Sequence, residues 1–134
     1  MEDLNCKSLM IGDWVIYKGE HTLIYEIDDY YERINTEPDG YDSIKYINVS
    51  EIEPIPLTSE ILEKNGFKHY LTEEGDDNFD YTEGNLGYCL NRTTDGYMSC
   101  IDVTHSFTIT GLIKYVHELQ HILHLCGIEK EIVL

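Results

Sequence analysis

The residues with the clearest chemical potential lie near the C-terminus, in the run His117-Glu118-Leu119-Gln120-His121. This run matches the pattern H-E-x-x-H, in which two histidines at positions i and i+4 bind zinc from one helix face. The glutamate between them activates a zinc-bound water. The spacing therefore admits a zinc-dependent hydrolase, with His117 and His121 as ligands and Glu118 as the general base.

A third zinc ligand is not found where zinc peptidases place it. A metzincin continues as H-x-x-G-x-x-H, but here His124 takes the position of the glycine and Gly127 that of the last histidine. A gluzincin needs a glutamate from a later helix, and the chain after His121 is short. We therefore expect the histidines to form a polar helix face, with no metal, no cofactor and no catalytic residues.

The segment around this motif has apolar residues at helical spacing, which predicts an amphipathic helix over 108–127. The helix should be capped near Thr108 or Thr110 and end at Gly127. It should dock on a sheet through an apolar stripe and point His117, His121 and His124 away. The predicted stripe consists of Leu112, Tyr115, Val116, Leu119, Ile122, Leu123 and Cys126.

Short alternating runs with turn residues between them predict strands in the rest of the chain. Residues 11–56 are expected to form a small N-terminal antiparallel β-barrel or curled sheet of SH3-like size. Residues 57–67 predict a short helix capped by Thr58 and closed by Gly66. Residues 68–104 predict a second antiparallel meander. The predicted fold class is α+β, with 1–134 as a single domain.

Composition limits the function classes. The chain has 134 residues and a formal net charge of −17, from 26 acidic and 9 basic residues. Such a charge opposes direct binding to nucleic acids or anionic membranes. It is compatible with three roles: solubility, imitation of a polyanion, or binding of cations or a basic partner. The N-terminus has acidic residues where a signal peptide has basic ones, so we expect a soluble, cytoplasmic protein.

Tyrosine and arginine supply the candidate ligand-binding residues. The chain has 11 tyrosines, which indicate either half-buried strand positions or an aromatic binding surface. A phosphate-bearing ligand would use arginine, because guanidinium binds phosphate in a bidentate manner. Both arginines lie near tyrosines. The predicted ligand-binding residues are Tyr30, Tyr31, Arg33, Arg92 and Tyr97.

Three motifs support a resemblance to a group of proteins. They are the run Ile55–Phe67 (IPLTSEILEKNGF), the run Tyr115–His121 (YVHELQH), and the strand-like Ile11–Val15 (IGDWV). Together they resemble small uncharacterised proteins of gut Bacteroidetes, their phages and other mobile elements. The resemblance implies a shared fold and a genomic setting in which small acidic proteins act as counter-defence factors. It assigns no active-site residue.

These observations favour a non-enzymatic binding protein. We expect a phage or mobile-element counter-defence factor that sequesters a small, nucleotide-derived signalling ligand or blocks a host defence protein. Oligomerisation would help by building pockets between subunits. The alternatives are an acidic polyanion mimic that inhibits a nucleic-acid-binding host protein, and a zinc-dependent hydrolase that uses His117, Glu118 and His121.

Overall fold

A computed structural model describes residues 4–37, 46–103 and 106–134. The chain divides into two compact units, each built from two segments that are distant in sequence. The first unit combines Met1–Ile55 with Tyr115–His121, and the second combines Pro56–Lys114 with Ile122–Leu134. Antiparallel strands and two α-helices make up both units, so the α+β class is confirmed.

The first unit contains two three-stranded antiparallel sheets, ordered β2–β1–β6 and β3–β4–β5. Within the described ranges neither sheet closes into the predicted barrel, and residues 38–45 of that predicted region lie outside the described residues. The strands are β1 (Trp14–Tyr17), β2 (Glu20–Leu23), β3 (Glu26–Asp28), β4 (Arg33–Asn35), β5 (Tyr46–Asn48) and β6 (Ile52–Glu53).

The core of the first unit follows from strand alternation. In the β3–β4–β5 sheet, Ile34 lies opposite Ile27 on one side and Ile47 on the other. Successive side chains of a strand point to opposite faces, so these isoleucines share the inner face. Their neighbours in sequence therefore point to the opposite, outer face of the sheet, where Asn35 is nevertheless buried. The buried core residues of this unit are Cys6, Leu9, Val15, Ile24, Ile34, Ile47, Val49 and Ile52.

The second unit is organised around a five-stranded antiparallel sheet ordered β11–β10–β9–β8–β7. The four strands β7 to β10 confirm the predicted meander, whose last residue, 104, lies outside the described residues. The elements are α1 (Ser59–Lys64), β7 (Lys68–Leu71), β8 (Asp77–Glu83), β9 (Leu86–Thr93), β10 (Gly96–Val103) and β11 (Ser106–Ile113). The last helix, α2 (Val116–Leu125), is divided, with its residues up to His121 in the first unit and those from Ile122 in the second.

The predicted helix over 108–127 is wrong in its first half. Residues Ser106–Ile113 form strand β11, and only Val116–Leu125 is helical. The run Thr108-Ile109-Thr110 is β-branched, which favours an extended backbone, and every residue of β11 except Thr110 pairs with β10. The expected caps at Thr108 and Thr110 are therefore absent. Leu112 lies exposed on the strand and not in a helix stripe.

Both helices end in the manner that their glycines predict. Gly66 and Gly127 have φ angles of 87° and 75°. Behind them the N–H of Phe67 donates to the carbonyl of Leu62, and that of Ile128 donates to Leu123. These are Schellman motifs, in which the left-handed residue turns the chain back over the last turn. At the other end of α1, the Thr58 hydroxyl accepts the predicted capping bond, from Ile61 N–H at 3.3 Å.

The C-terminal tail of the second unit is held by one buried amide. Asn65, at the end of α1, is 1% exposed. Its Nδ2 donates to the carbonyls of Ile61 and Val133, each at 2.8 Å. Its Oδ1 accepts from the N–H of Val133, also at 2.8 Å. The amide thus satisfies both backbone groups of Val133, as a neighbouring strand would.

We predict that Asn65→Ala lowers the free energy of unfolding by about 2 kcal/mol, because buried backbone groups would lose their partners. Urea denaturation measures the change. Glu131→Ala, an exposed position on the same tail, is the matched control and should stay within about 0.5 kcal/mol of the unmodified protein. Equal stability of the two variants would contradict the assigned role of the amide.

Candidate functional site

In the H-E-x-x-H run, the glutamate caps its own helix. Helix α2 begins at Val116, and the Oε1 atom of Glu118 accepts a hydrogen bond from the N–H of Tyr115 at 3.0 Å. Glu118 occupies the third helical position, where a glutamate commonly binds the backbone of the capping residue. This contact gives Glu118 a structural role that needs no metal-bound water.

The next two polar residues of the motif connect α2 to the segment that leads into β1. Gln120 Oε1 accepts from the N–H of Trp14 at 2.9 Å, and Gln120 Nε2 donates to the carbonyl of Gly12 at 2.9 Å. The Nε2 atom of His121 lies 2.7 Å from Oδ2 of Asp13, whose side chain is 3% exposed. Zinc binding through this nitrogen would require the contact with Asp13 to break.

The prediction that all three histidines point away is wrong for His117 and for His121, which contacts the buried Asp13. His117 is 4% exposed, and its ring stacks on Tyr115 with centroids 5.9 Å apart. The ring of His121 approaches it edge-on at 5.6 Å. The first turns of α2 therefore pack within the first unit through their polar face as well as through the predicted apolar stripe. His124 is exposed, as predicted.

A different group of residues brings metal-ligand atoms together. Across residues 4–37, 46–103 and 106–134, the one set of three such atoms within 4.8 Å of one another comes from Cys6, Asp29 and Glu32. Burial and the neighbouring Glu32 raise the pKa of the Cys6 thiol to about 11, so the thiol is protonated at neutral pH. The Cys6 N–H donates to Glu32 Oε2 at 3.2 Å. This contact is structural.

The five predicted ligand-binding residues are divided between the two units. Tyr30, Tyr31 and Arg33 belong to the first unit, and Arg92 and Tyr97 to the second. Arg92 is exposed on β9 and lies opposite Tyr97 on β10. Tyr97 is buried; its burial raises the pKa of the hydroxyl, and Arg92 partly offsets this effect. Tyr97 therefore packs in the core of its sheet.

The first group forms a compact cluster around a guanidinium. The Arg33 Cζ atom lies 4.7 Å from the ring centroid of Tyr31 and 4.0 Å from that of Tyr46. Its Nε donates to Asp28 Oδ2 at 2.9 Å. Tyr30 adds an edge-on contact to Tyr31, with centroids 4.7 Å apart. We refer to Tyr30, Tyr31, Arg33 and Tyr46 as the tyrosine surface.

Strand register explains why these side chains meet. Arg33 lies opposite Asp28 on β3, and Tyr46 lies on β5 two positions before the partner of Arg33. All three therefore share the outer face of the sheet. The Tyr46 hydroxyl donates to Glu26 Oε1 at 3.3 Å, and partial burial together with this carboxylate raises the pKa of that hydroxyl. Tyr46 is not among the ligand-binding residues predicted from the sequence. Its position next to the apolar Ile47 in an alternating strand nevertheless indicates that it points outward.

The tyrosine surface is exposed and acidic. Tyr30 is 86% exposed and Tyr31 62%. Adjacent exposed aromatic side chains are typical of interaction sites, because tyrosine is enriched at protein interfaces. The segment that carries them, from Glu26 to Arg33, contains four carboxylates and a single base. Its electrostatic field therefore favours a cationic ligand over a phosphate.

A small cavity of about 300 Å³ lies elsewhere in the first unit, beside the β1–β2 turn. It has one lysine and two glutamates on its wall, so it offers no concentrated positive charge for a phosphate. The cavity is lined by Ile16, Tyr17, Lys18, Gly19, Glu51 and Glu53.

The chain matches no protein-family model, no curated protein and no solved structure. Among the described residues, no helix has the length and apolar character that crossing a bilayer requires. Function must therefore be inferred from the geometry of the chain itself.

We predict that Glu118→Ala lowers the free energy of unfolding by about 1 kcal/mol, because the N–H of Tyr115 loses its acceptor. Glu118→Gln should retain most of the stability, since the amide oxygen can accept the same bond. Thermal or urea denaturation of both variants measures the difference. If the alanine variant is as stable as the glutamine variant, Glu118 does not act as a cap.

Proposed function

We propose that this protein is a non-enzymatic binding protein whose tyrosine surface engages a basic patch on a partner protein. The observation that carries the proposal is the exposure of Tyr30 and Tyr31 beside four carboxylates. Tyrosine contributes large contact area at low entropic cost, and it is enriched among the residues that dominate binding energy. The carboxylates steer a basic partner to the surface.

The packing of the cluster supports a preorganised surface. Arg33 holds Tyr31 and Tyr46 in place, and Asp28 in turn fixes the guanidinium. Side chains that are already ordered lose less entropy when a partner binds. A cationic side chain of the partner can stack on the exposed ring of Tyr30, as Arg33 stacks on Tyr31 within the chain.

The biological setting of the proposal comes from the resemblance to small proteins of gut Bacteroidetes and their phages. In that setting the partner would be a host defence protein, and this chain a cytoplasmic counter-defence factor that blocks it. A basic patch is typical of proteins that bind nucleic acid. The proposed contact therefore depends on the same attraction between carboxylates and a basic patch as the polyanion-mimic alternative. It differs by adding specific aromatic contacts.

The small-ligand version of the proposal is less well supported by the geometry. A nucleotide would need Arg33, but the Nε of that guanidinium is bound to Asp28 and its face is covered by tyrosine rings. The neighbouring carboxylates would repel a phosphate. The zinc-hydrolase alternative would need His121 to release Asp13 and Glu118 to release the Tyr115 N–H.

We predict that an arginine-rich peptide binds this protein and that the double substitution Tyr30→Ala/Tyr31→Ala weakens binding by about tenfold or more. Neither substitution changes the net charge, so the loss reports aromatic contacts and not the overall field. Tyr70→Ala, at an exposed tyrosine of the second unit, is the matched control and should bind as the unmodified protein does. Calorimetry at about 50 mM and about 500 mM salt measures affinity, which should fall at high salt.

The outcomes of this measurement separate the alternatives. Undiminished binding by the double variant would show that only net charge matters, which supports the polyanion mimic. Heat released by cyclic nucleotides, lost in Arg33→Ala or Arg92→Ala, would support the small-ligand version. One tightly bound zinc per chain after purification without added metal would support the hydrolase.

A further inference from the structure

The five-stranded sheet of the second unit has two different edges. Strand β7 forms one edge with four residues, and strand β11 forms the other with eight. Proteins usually protect sheet edges by keeping them short or by placing charges, prolines or bulges on them. Strand β7 follows this rule, because it is short and begins with Lys68. Strand β11 is long and has neither a charged residue nor a proline.

The register places three exposed apolar side chains of β11 on one face. Phe107, Ile109 and Leu112 lie opposite Asp102, Cys100 and Met98 of β10, which are alternate residues and so point the same way. Phe107 and Ile109 are each 62% exposed, and Leu112 is 41% exposed. These three residues, which we call the β11 patch, form an apolar surface at the open edge.

The bulge in this strand pair does not protect the edge. The register shifts between Ser99 and Cys100, which leaves Thr110 as the extra residue. The Thr110 hydroxyl is bound inward, 3.1 Å from the carbonyl oxygen of Ser99 and 2.7 Å from its Oγ. The extra residue is thus tied to β10 and leaves the outer side of β11 accessible to another strand.

Charge indicates which partner fits this edge. The chain carries a net charge of −17, yet no Asp or Glu occurs between Asp102 and Glu118. Two copies of so acidic a chain repel each other over most of their surface. They can approach closely where acidic residues are missing, and β11 lies entirely within that segment. A basic partner, by contrast, finds no complementary charge on this strand.

We propose that β11 pairs antiparallel with β11 of a second copy, about a two-fold axis near Ile109. The pairing would continue the five-stranded sheet into a ten-stranded one and satisfy the outer backbone groups of both edges. It would bring the two β11 patches together on one face. A two-fold contact of this kind uses the same residues on both copies, so it closes as a dimer and does not propagate.

Sedimentation velocity of the full chain tests the proposal. At tens of micromolar we expect a dimer that dissociates on dilution and tightens as salt rises, because salt screens the repulsion between the two acidic chains. This salt dependence is opposite to that expected for a basic partner on the tyrosine surface. The two proposals can therefore fail independently.

Matched lysine substitutions locate the interface. Ile109→Lys should give a monomer, whereas Leu71→Lys on the other edge, at a residue of similar exposure (64%), should leave the dimer intact. Phe107→Lys serves as a second variant if circular dichroism shows that Ile109→Lys is unfolded. A monomeric unmodified protein, a dimer that persists in folded Ile109→Lys or Phe107→Lys, or equal dissociation by Leu71→Lys would each overturn the proposal.

Discussion

The excess of carboxylates over cations constrains how this chain can fold. Even if every lysine and arginine paired with one carboxylate, most of the 26 acidic side chains would still lack a basic partner. The other carboxylates must find different donors or remain in water. In this chain the donors are often backbone N–H groups. The pairs are Asp13 with Met10, Glu32 with Cys6, Glu51 with Asn48, and Glu118 with Tyr115.

This use of carboxylates occurs both in the H-E-x-x-H run and around Arg33. Glu118 looks catalytic in sequence, but in the structure it performs the same task as Glu51, which binds the backbone at the start of a helical turn. His121 serves as a further donor to a buried acid, Asp13. Around Arg33 the remaining carboxylates stay exposed, and there they create a field that favours cations. The same composition thus produces structural contacts in one place and the proposed binding surface in another.

Local signals predicted those parts of the fold that depend on a few neighbouring residues. Thr58, Gly66 and Gly127 set the limits of the helices because capping needs only residues within one turn. Strand β11 was predicted as helix because its apolar residues merge with those of α2 into one pattern. Its extended conformation depends on pairing with β10, which a local pattern does not show. The burial of His117 likewise depends on the packing of the first unit around α2.

In the candidate site, too, contacts between sequence neighbours were predictable and contacts across paired strands were not. Tyr30, Tyr31 and Arg33 are close in sequence, so their grouping was predictable, whereas the contribution of Tyr46 requires the pairing of β4 with β5. Arg92 and Tyr97 were also predicted to belong to the site. They are neighbours across a strand pair in the other unit, where Tyr97 is buried in a core. Sequence proximity to an arginine does not distinguish a surface tyrosine from a core tyrosine.

The discontinuous make-up of both units has a consequence during synthesis. Domains commonly fold from the N-terminus while the ribosome is still translating. Here the segment that leads into β1 bonds to Gln120, and the end of α1 bonds to Val133. Neither unit can complete its contacts until these late residues have left the exit tunnel. Before that point each unit lacks one of these contacts, and the high negative charge of the chain keeps neighbouring nascent chains apart.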